Sequence, residues 1–143
     1  MSPGKYKVLL VDDSEDDRFF MCRALRENSH LSVVAEAADG EETIAYLGGQ
    51  GTFGDRQKHP FPDVVILDLK MPRKNGFDVL QWLQAQSFHK PVVIVISGSF
   101  LPEDIAKSYS LGADAYHKKT AFKEEQSSMV REIEESLAKR HGG

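Results

Sequence analysis

Val64-Val65-Ile66-Leu67-Asp68-Leu69-Lys70 is the stretch on which the reading of this chain turns. Four aliphatic residues in a row, without polar alternation, suit a strand buried on both faces of a parallel sheet. The carboxylate of Asp68 stops the run, and a buried carboxylate without partners is expensive. Working outward, similar runs stand at Tyr6-Lys7-Val8-Leu9-Leu10-Val11, at Leu31 to Ala37, at Pro91 to Ile96 and, more weakly, at Ala113 to His117. Amphipathic stretches separate them. Ser14 is placed to N-cap a helix to about Glu27, with Glu15, Asp16 and Asp17 in its dipole-favoured first turn. Phe20, Cys22 or Ala24, and Leu25 are the expected core stripe of that helix. Asp39-Gly40-Glu41-Glu42 opens a second helix, carrying Ile44 and Leu47. A third spans about Phe77 to Gln86 and buries Phe77, Leu80 and Leu83. Pro102 starts a fourth, which stops at Gly112. The last runs from about Ala121 to Arg140, with Met129, Val130, Ile133 and Leu137 at helical spacing. Strand–helix alternation with short connections predicts an α/β domain, a parallel sheet with helices on both faces.

The 143 residues fit one domain, and 41% hydrophobic with 28% charged residues is an ordinary globular balance. Residues 1–5 read as an N-terminal tail, and 48–62 as a glycine-rich, extended connection before the third strand, either mobile or functional. A net charge of −4 disfavours non-specific binding to nucleic acid. The single cysteine, Cys22, excludes an internal disulfide framework. No secretory signal is legible at the N-terminus, and no segment approaches the roughly 20 apolar residues of a membrane span. The expectation is a cytoplasmic domain with no membrane partner.

Ligands of an open α/β sheet bind outside the carboxyl ends of its strands. After the first strand come Asp12 and Asp13, after the third Asp68, after the fourth Ser97, and after the fifth Lys119. Taken singly, these read as a helix cap, a turn or a solvated end; their order at successive strand ends is what selects a site. Carboxylates about 4 Å apart repel by roughly 4 kcal/mol at an effective dielectric near 20, so three together take up protons or bind a cation. Hard oxygen donors without His or Cys suit Mg²⁺ or Mn²⁺. Such an ion, an amine and a hydroxyl make up most of a phosphoryl-transfer site, and one carboxylate is left over as a nucleophile.

With those residues in order, the chain resembles the response-regulator receiver domains of two-component signalling, of the CheY-like superfamily. The resemblance rests on Val11-Asp12-Asp13, on Asp68-Leu69-Lys70-Met71-Pro72 with Asn75-Gly76, on Ile96-Ser97-Gly98-Ser99, and on Gly112-Ala113-Asp114-Ala115-Tyr116 with Lys119. It covers nearly the whole chain and is nearest to stand-alone receivers such as the phytochrome-associated group. It implies a flavodoxin-like (βα)5 doubly wound fold. It further implies that Asp68 accepts a phosphoryl group from the phosphohistidine of a histidine kinase or phosphotransfer protein. Asp13, Asp68 and the backbone carbonyl of Lys70 would ligate the metal, with Asp12 acting through a water. Lys119 and Ser97 would contact the phosphoryl oxygens, and Ser97 and Tyr116 would form the switch. Lys70 and Ser99 would tune acyl phosphate lifetime. The family commonly has proline after the lysine, with a cis peptide; here Thr120 follows Lys119. A non-proline cis bond costs about 2.5 to 4 kcal/mol, which argues against that geometry here.

The resemblance implies a phospho-acceptor rather than an enzyme, self-phosphorylation and autodephosphorylation aside. It implies signalling to a downstream protein by contact, without an output domain or nucleic-acid binding, and leaves homodimerisation open. A Mg²⁺ phosphatase with an aspartyl nucleophile would carry a second Asp two residues on, where Lys70 stands. The alternative kept open is a degenerate receiver acting as a phosphorylation-independent binding module.

Overall fold

A computed structural model describes residues 6–27 and 30–141. The proposed tail at residues 1–5 lies outside the described residues. Strand β1 (Tyr6–Val11) leads to helix α1 (Glu15–Arg26), β2 (Leu31–Ala37) to α2 (Gly40–Leu47), and β3 (Val64–Leu67) to α3 (Gly76–Gln84). β4 (Val92–Ser97) then leads to α4 (Pro102–Ser110), and β5 (Ala115–Lys118) to α5 (Lys123–His141). All pairings are parallel, in the order β2-β1-β3-β4-β5. This is the flavodoxin-like order, whose topological switch lies between β1 and β3.

Every residue of β3 and β4 is buried, whereas the edge strands β2 and β5 are only partly covered. Side chains of the central strands alternate between two apolar layers. Val8, Leu10, Ile66, Ile94 and Ile96 pack against α1 and α5, where Ile133 and Leu137 are fully enclosed. Burial of that completeness contributes about 1.5–3 kcal/mol for each such side chain. Leu9, Val11, Val65, Leu67, Val93 and Val95 pack on the other side, against Tyr46 and Leu47 of α2 and Val79, Leu80 and Leu83 of α3. α4 lies against α3 and β5.

Ser14 caps α1 and Asp39 opens α2 as the sequence predicts, and Asn75 adds a cap that it did not. Ser14, Asp39 and Asn75 each accept an N–H from the first turn of α1, α2 and α3, and Asn75 completes a reciprocal capping box with Asp78. Several expectations are corrected. Phe20 is 43% exposed and outside the core; Met21, Ala24 and Leu25 form the buried stripe of α1. Ile44 and Phe77 are only partly buried, and Thr43, Tyr46 and Val79 take the inner positions. α3 ends at Gln84, β5 begins at Ala115, and α5 begins at Lys123. Residues 48–62 are folded in place. A 3₁₀ turn, Gly51–Gly54, sets Phe53 against Tyr46, and Arg56 donates to the carbonyls of Tyr46, Leu47 and His59. The Tyr46 hydroxyl donates to the carbonyl of Pro60 at 2.7 Å.

Candidate functional site

Strand register brings the site together. Val11 is level with Leu67, and the Asp68 N–H donates to the carbonyl of Val11, so Asp12 and Asp68 leave neighbouring strands side by side. Ser97 is level with Lys118, and the N–H of Lys119 donates to the Ser97 carbonyl at 2.8 Å. Asp12 and Asp68 are 6% and 4% exposed, Ser97 is buried, and Asp13 is exposed. Carboxylate oxygens of Asp12, Asp13 and Asp68 all lie within 4.8 Å of one another. Three such oxygens without His or Cys are a donor set for a hard divalent cation with open positions.

The Lys119 ammonium contacts Asp12 Oδ2 at 2.8 Å, Asp17 Oδ2 at 2.9 Å and Asp68 Oδ2 at 3.3 Å. Burial pulls the lysine down, but hydrogen bonds to Asp12 and Asp17, with the charges of Asp68 and Asp12, outweigh it and hold the ammonium above its ordinary range. Burial pushes Asp68 up to about 6, against the pull of Lys119 and with the added repulsion of Asp12. There is no cis peptide among the described residues, and Lys119 reaches the acids across an ordinary trans bond to Thr120.

Asp13, Asp68, Lys70, Ser97, Ser99 and Lys119 line one open cleft of about 560 Å³. Lys70 stands exposed at its edge, at the start of the loop to α3. Ser97 Oγ accepts the Ser99 N–H at 3.1 Å, and Ser99 Oγ donates to Asp104 Oδ2 at 2.6 Å. Asp104, in the first turn of α4, is thus tied to the loop after β4. Tyr116 is only partly buried; its hydroxyl donates to the Ser99 carbonyl at 2.6 Å. The sequence reading missed Asp17. A first-turn acid is fully accounted for by the helix dipole, and only the N3 position facing the strand ends hints at more.

Residues 8–131 match the family described as "Response regulator receiver domain". Response regulator Rcp1 of Synechocystis sp. is 29% identical over 128 residues, which are 89% of this chain and 85% of that protein. The crystal structure of the phosphorylated cyanobacterial phytochrome response regulator RcpA superposes with a TM-score of 0.82 at 31% identity, covering 92% of this chain and 93% of that one. Protein-glutamate methylesterase/protein-glutamine glutaminase 6 of Anaeromyxobacter dehalogenans is 38% identical over 108 residues, 75% of this chain. The match spans only 27% of that longer enzyme.

Proposed function

The chain belongs to the response regulator receiver domains of two-component signalling, and from that premise we propose that Asp68 is its phosphoryl acceptor. The observation that carries the proposal is the position of Asp68, 4% exposed and within 4.8 Å of two further acids, with a lysine ammonium at 3.3 Å. A carboxylate oxygen of Asp68 attacks the phosphorus of a phosphohistidine on a histidine kinase or phosphotransfer protein. The P–O bond forms as the P–N bond breaks; the electron pair returns to the imidazole nitrogen, which takes up a proton. A divalent ion, Mg²⁺ or Mn²⁺, held by Asp13, Asp68 and the Lys70 carbonyl with Asp12 through a water, would supply neutralising charge for the phosphoryl oxygens. Lys119 pairs with one of those oxygens and the Ser97 hydroxyl donates to another. Lys70 and Ser99, at the rim of the cleft, set how readily water reaches the acyl phosphate. The product signals through protein contacts, and the face carrying exposed Phe100, Leu101 and Tyr109 beside β5 is the surface where movement of Ser97 and Tyr116 is felt.

The test is incubation with acetyl phosphate and Mg²⁺ followed by intact mass measurement. The wild type is expected to gain one phosphoryl group, and Asp68→Asn none; uptake at full rate by the variant would remove Asp68 from the role.

A further inference from the structure

Asp17 is the one acid around Lys119 that neither the metal set nor the acceptor role uses. It sits at N3 of α1, its N–H held by Ser14 Oγ at 3.2 Å, while the Ser14 N–H donates to Asp12 Oδ1 at 2.9 Å. The caps therefore fix the backbone of Asp17 beside the buried acids. Its Oδ2 lies 2.9 Å from the Lys119 ammonium, nearer than the oxygen of Asp68 at 3.3 Å. Asp17 also lines both the acid cleft and a second cavity of about 380 Å³ behind Lys119, walled by Leu10, Phe20, Met21 and Ile96. The Asp17–Lys119 pair stands where the two meet.

We propose that Asp17 is a positioning residue that restrains Lys119 in the unphosphorylated protein and must release it when the phosphoryl group arrives. The inference rests on the acceptor reading above. In the resting state one ammonium serves three carboxylates. As the phosphoryl group is transferred, Asp68 becomes an acyl phosphate and loses its carboxylate charge, and Asp12 would be engaged by a water of the metal, so of the three carboxylates Asp17 is left competing with the phosphoryl oxygens for Lys119. A contact made in the ground state and weakened in the transition state slows the step. Its removal speeds it.

The experiment times phosphoryl uptake from acetyl phosphate and Mg²⁺ by mass spectrometry for wild type, Asp17→Asn, Asp17→Glu, Lys119→Ala and the double variant Asp17→Asn/Lys119→Ala. Asp17→Asn is expected to label about two- to five-fold faster, on the order of a partly exposed ion pair, and Asp17→Glu to return toward the wild-type rate. The gain should vanish in the Lys119→Ala background, because the two residues act as a pair. If Lys119→Ala labels too slowly to time, the same cycle is read from calorimetric affinity for beryllium trifluoride, a phosphoryl mimic. An equal gain with and without Lys119 would mean that Asp17 merely repels the anionic donor, and would overturn the proposal. So would an unchanged rate in Asp17→Asn. A wild type that takes up no phosphoryl group would instead overturn the acceptor reading, and this inference with it.

Discussion

At the scale of single residues, Asp68, the proposed nucleophile, is held at a cost in stability. Burial foremost, with Lys119 opposing and Asp12 adding repulsion, moves its carboxyl from 3.8 to about 6. A group whose folded value lies above its unfolded one binds more protons in the fold, so stability falls as pH rises between those two values. The shift from 3.8 to about 6 corresponds to about 3 kcal/mol of destabilisation above pH 6 relative to pH below 3.8. Asp68→Asn, measured in chelator by thermal denaturation, should therefore be more stable than wild type at pH 8, by about 1–3 kcal/mol. The advantage should shrink toward nothing at pH 4. Equal melting at pH 8 would mean that Lys119 already compensates the buried charge in full. The same residues show how far the sequence could be read. Asp12, Asp13, Asp68, Ser97 and Lys119 were legible because each interrupts or follows an apolar run. Asp17 and Asp104 were not, because an acid in the first turn of a helix is already explained by the helix dipole.

Among the elements, α2 does more than cover the sheet: its N-terminus holds the loop that begins at Lys70. The N–H groups of Gly40 and Glu41 donate to the carbonyls of Lys74 and Arg73, and Arg73 Nε meets Asp39 Oδ2 at 2.9 Å. Arg73 and Lys74 adopt left-handed backbone, with φ of 47° and 74°. Such conformations in non-glycine residues persist only where neighbours over-determine them. A Cβ on Gly40 would lie 2.2 Å from the Lys74 carbonyl oxygen, so Gly40→Ala must displace the loop. The expected cost is about 1–3 kcal/mol, read from denaturant unfolding. A weaker Mg²⁺ affinity, by several-fold in calorimetry, should accompany it, because the Lys70 carbonyl moves with the loop. Stability lost without any change in affinity would separate the loop from the metal set. None of this was legible beforehand, since contacts between α2 and the α3 loop join residues more than 30 positions apart. The bounds of β3 and of the edge strand β2 were read as they fall, whereas β5, a short strand with a weak apolar signal, was read two residues early.

Across the whole molecule, the switch order of the sheet gathers the strand ends of the site on one edge, and the loop after β4 joins them to β5 and α4. Alternation of strands and helices predicted the fold class without the strand order; the flavodoxin-like order came only with the resemblance to receiver domains. From the cleft, a continuous path runs from Ser97 Oγ to the Ser99 N–H, from the Ser99 carbonyl to the Tyr116 hydroxyl, and from Ser99 Oγ to Asp104 of α4. A phosphoryl group on Asp68 that turned the Ser97 side chain toward itself would lengthen the first link. On the proposed function the loop would then move, and Tyr116 with it, toward the face that bears Phe100, Leu101 and Tyr109. A ligand shifts such an equilibrium only through contacts that differ between the two states. Tyr116→Phe deletes one of them, a neutral hydrogen bond worth about 1 kcal/mol. Amide hydrogen exchange over residues 98–101 should consequently quicken about five-fold in the unphosphorylated variant. The further change produced by beryllium trifluoride and Mg²⁺ should be smaller than in wild type, because part of the restraint is already gone. An exchange rate in Tyr116→Phe that matches wild type in both states would detach Tyr116 from the path and leave Asp104 as its only outward branch.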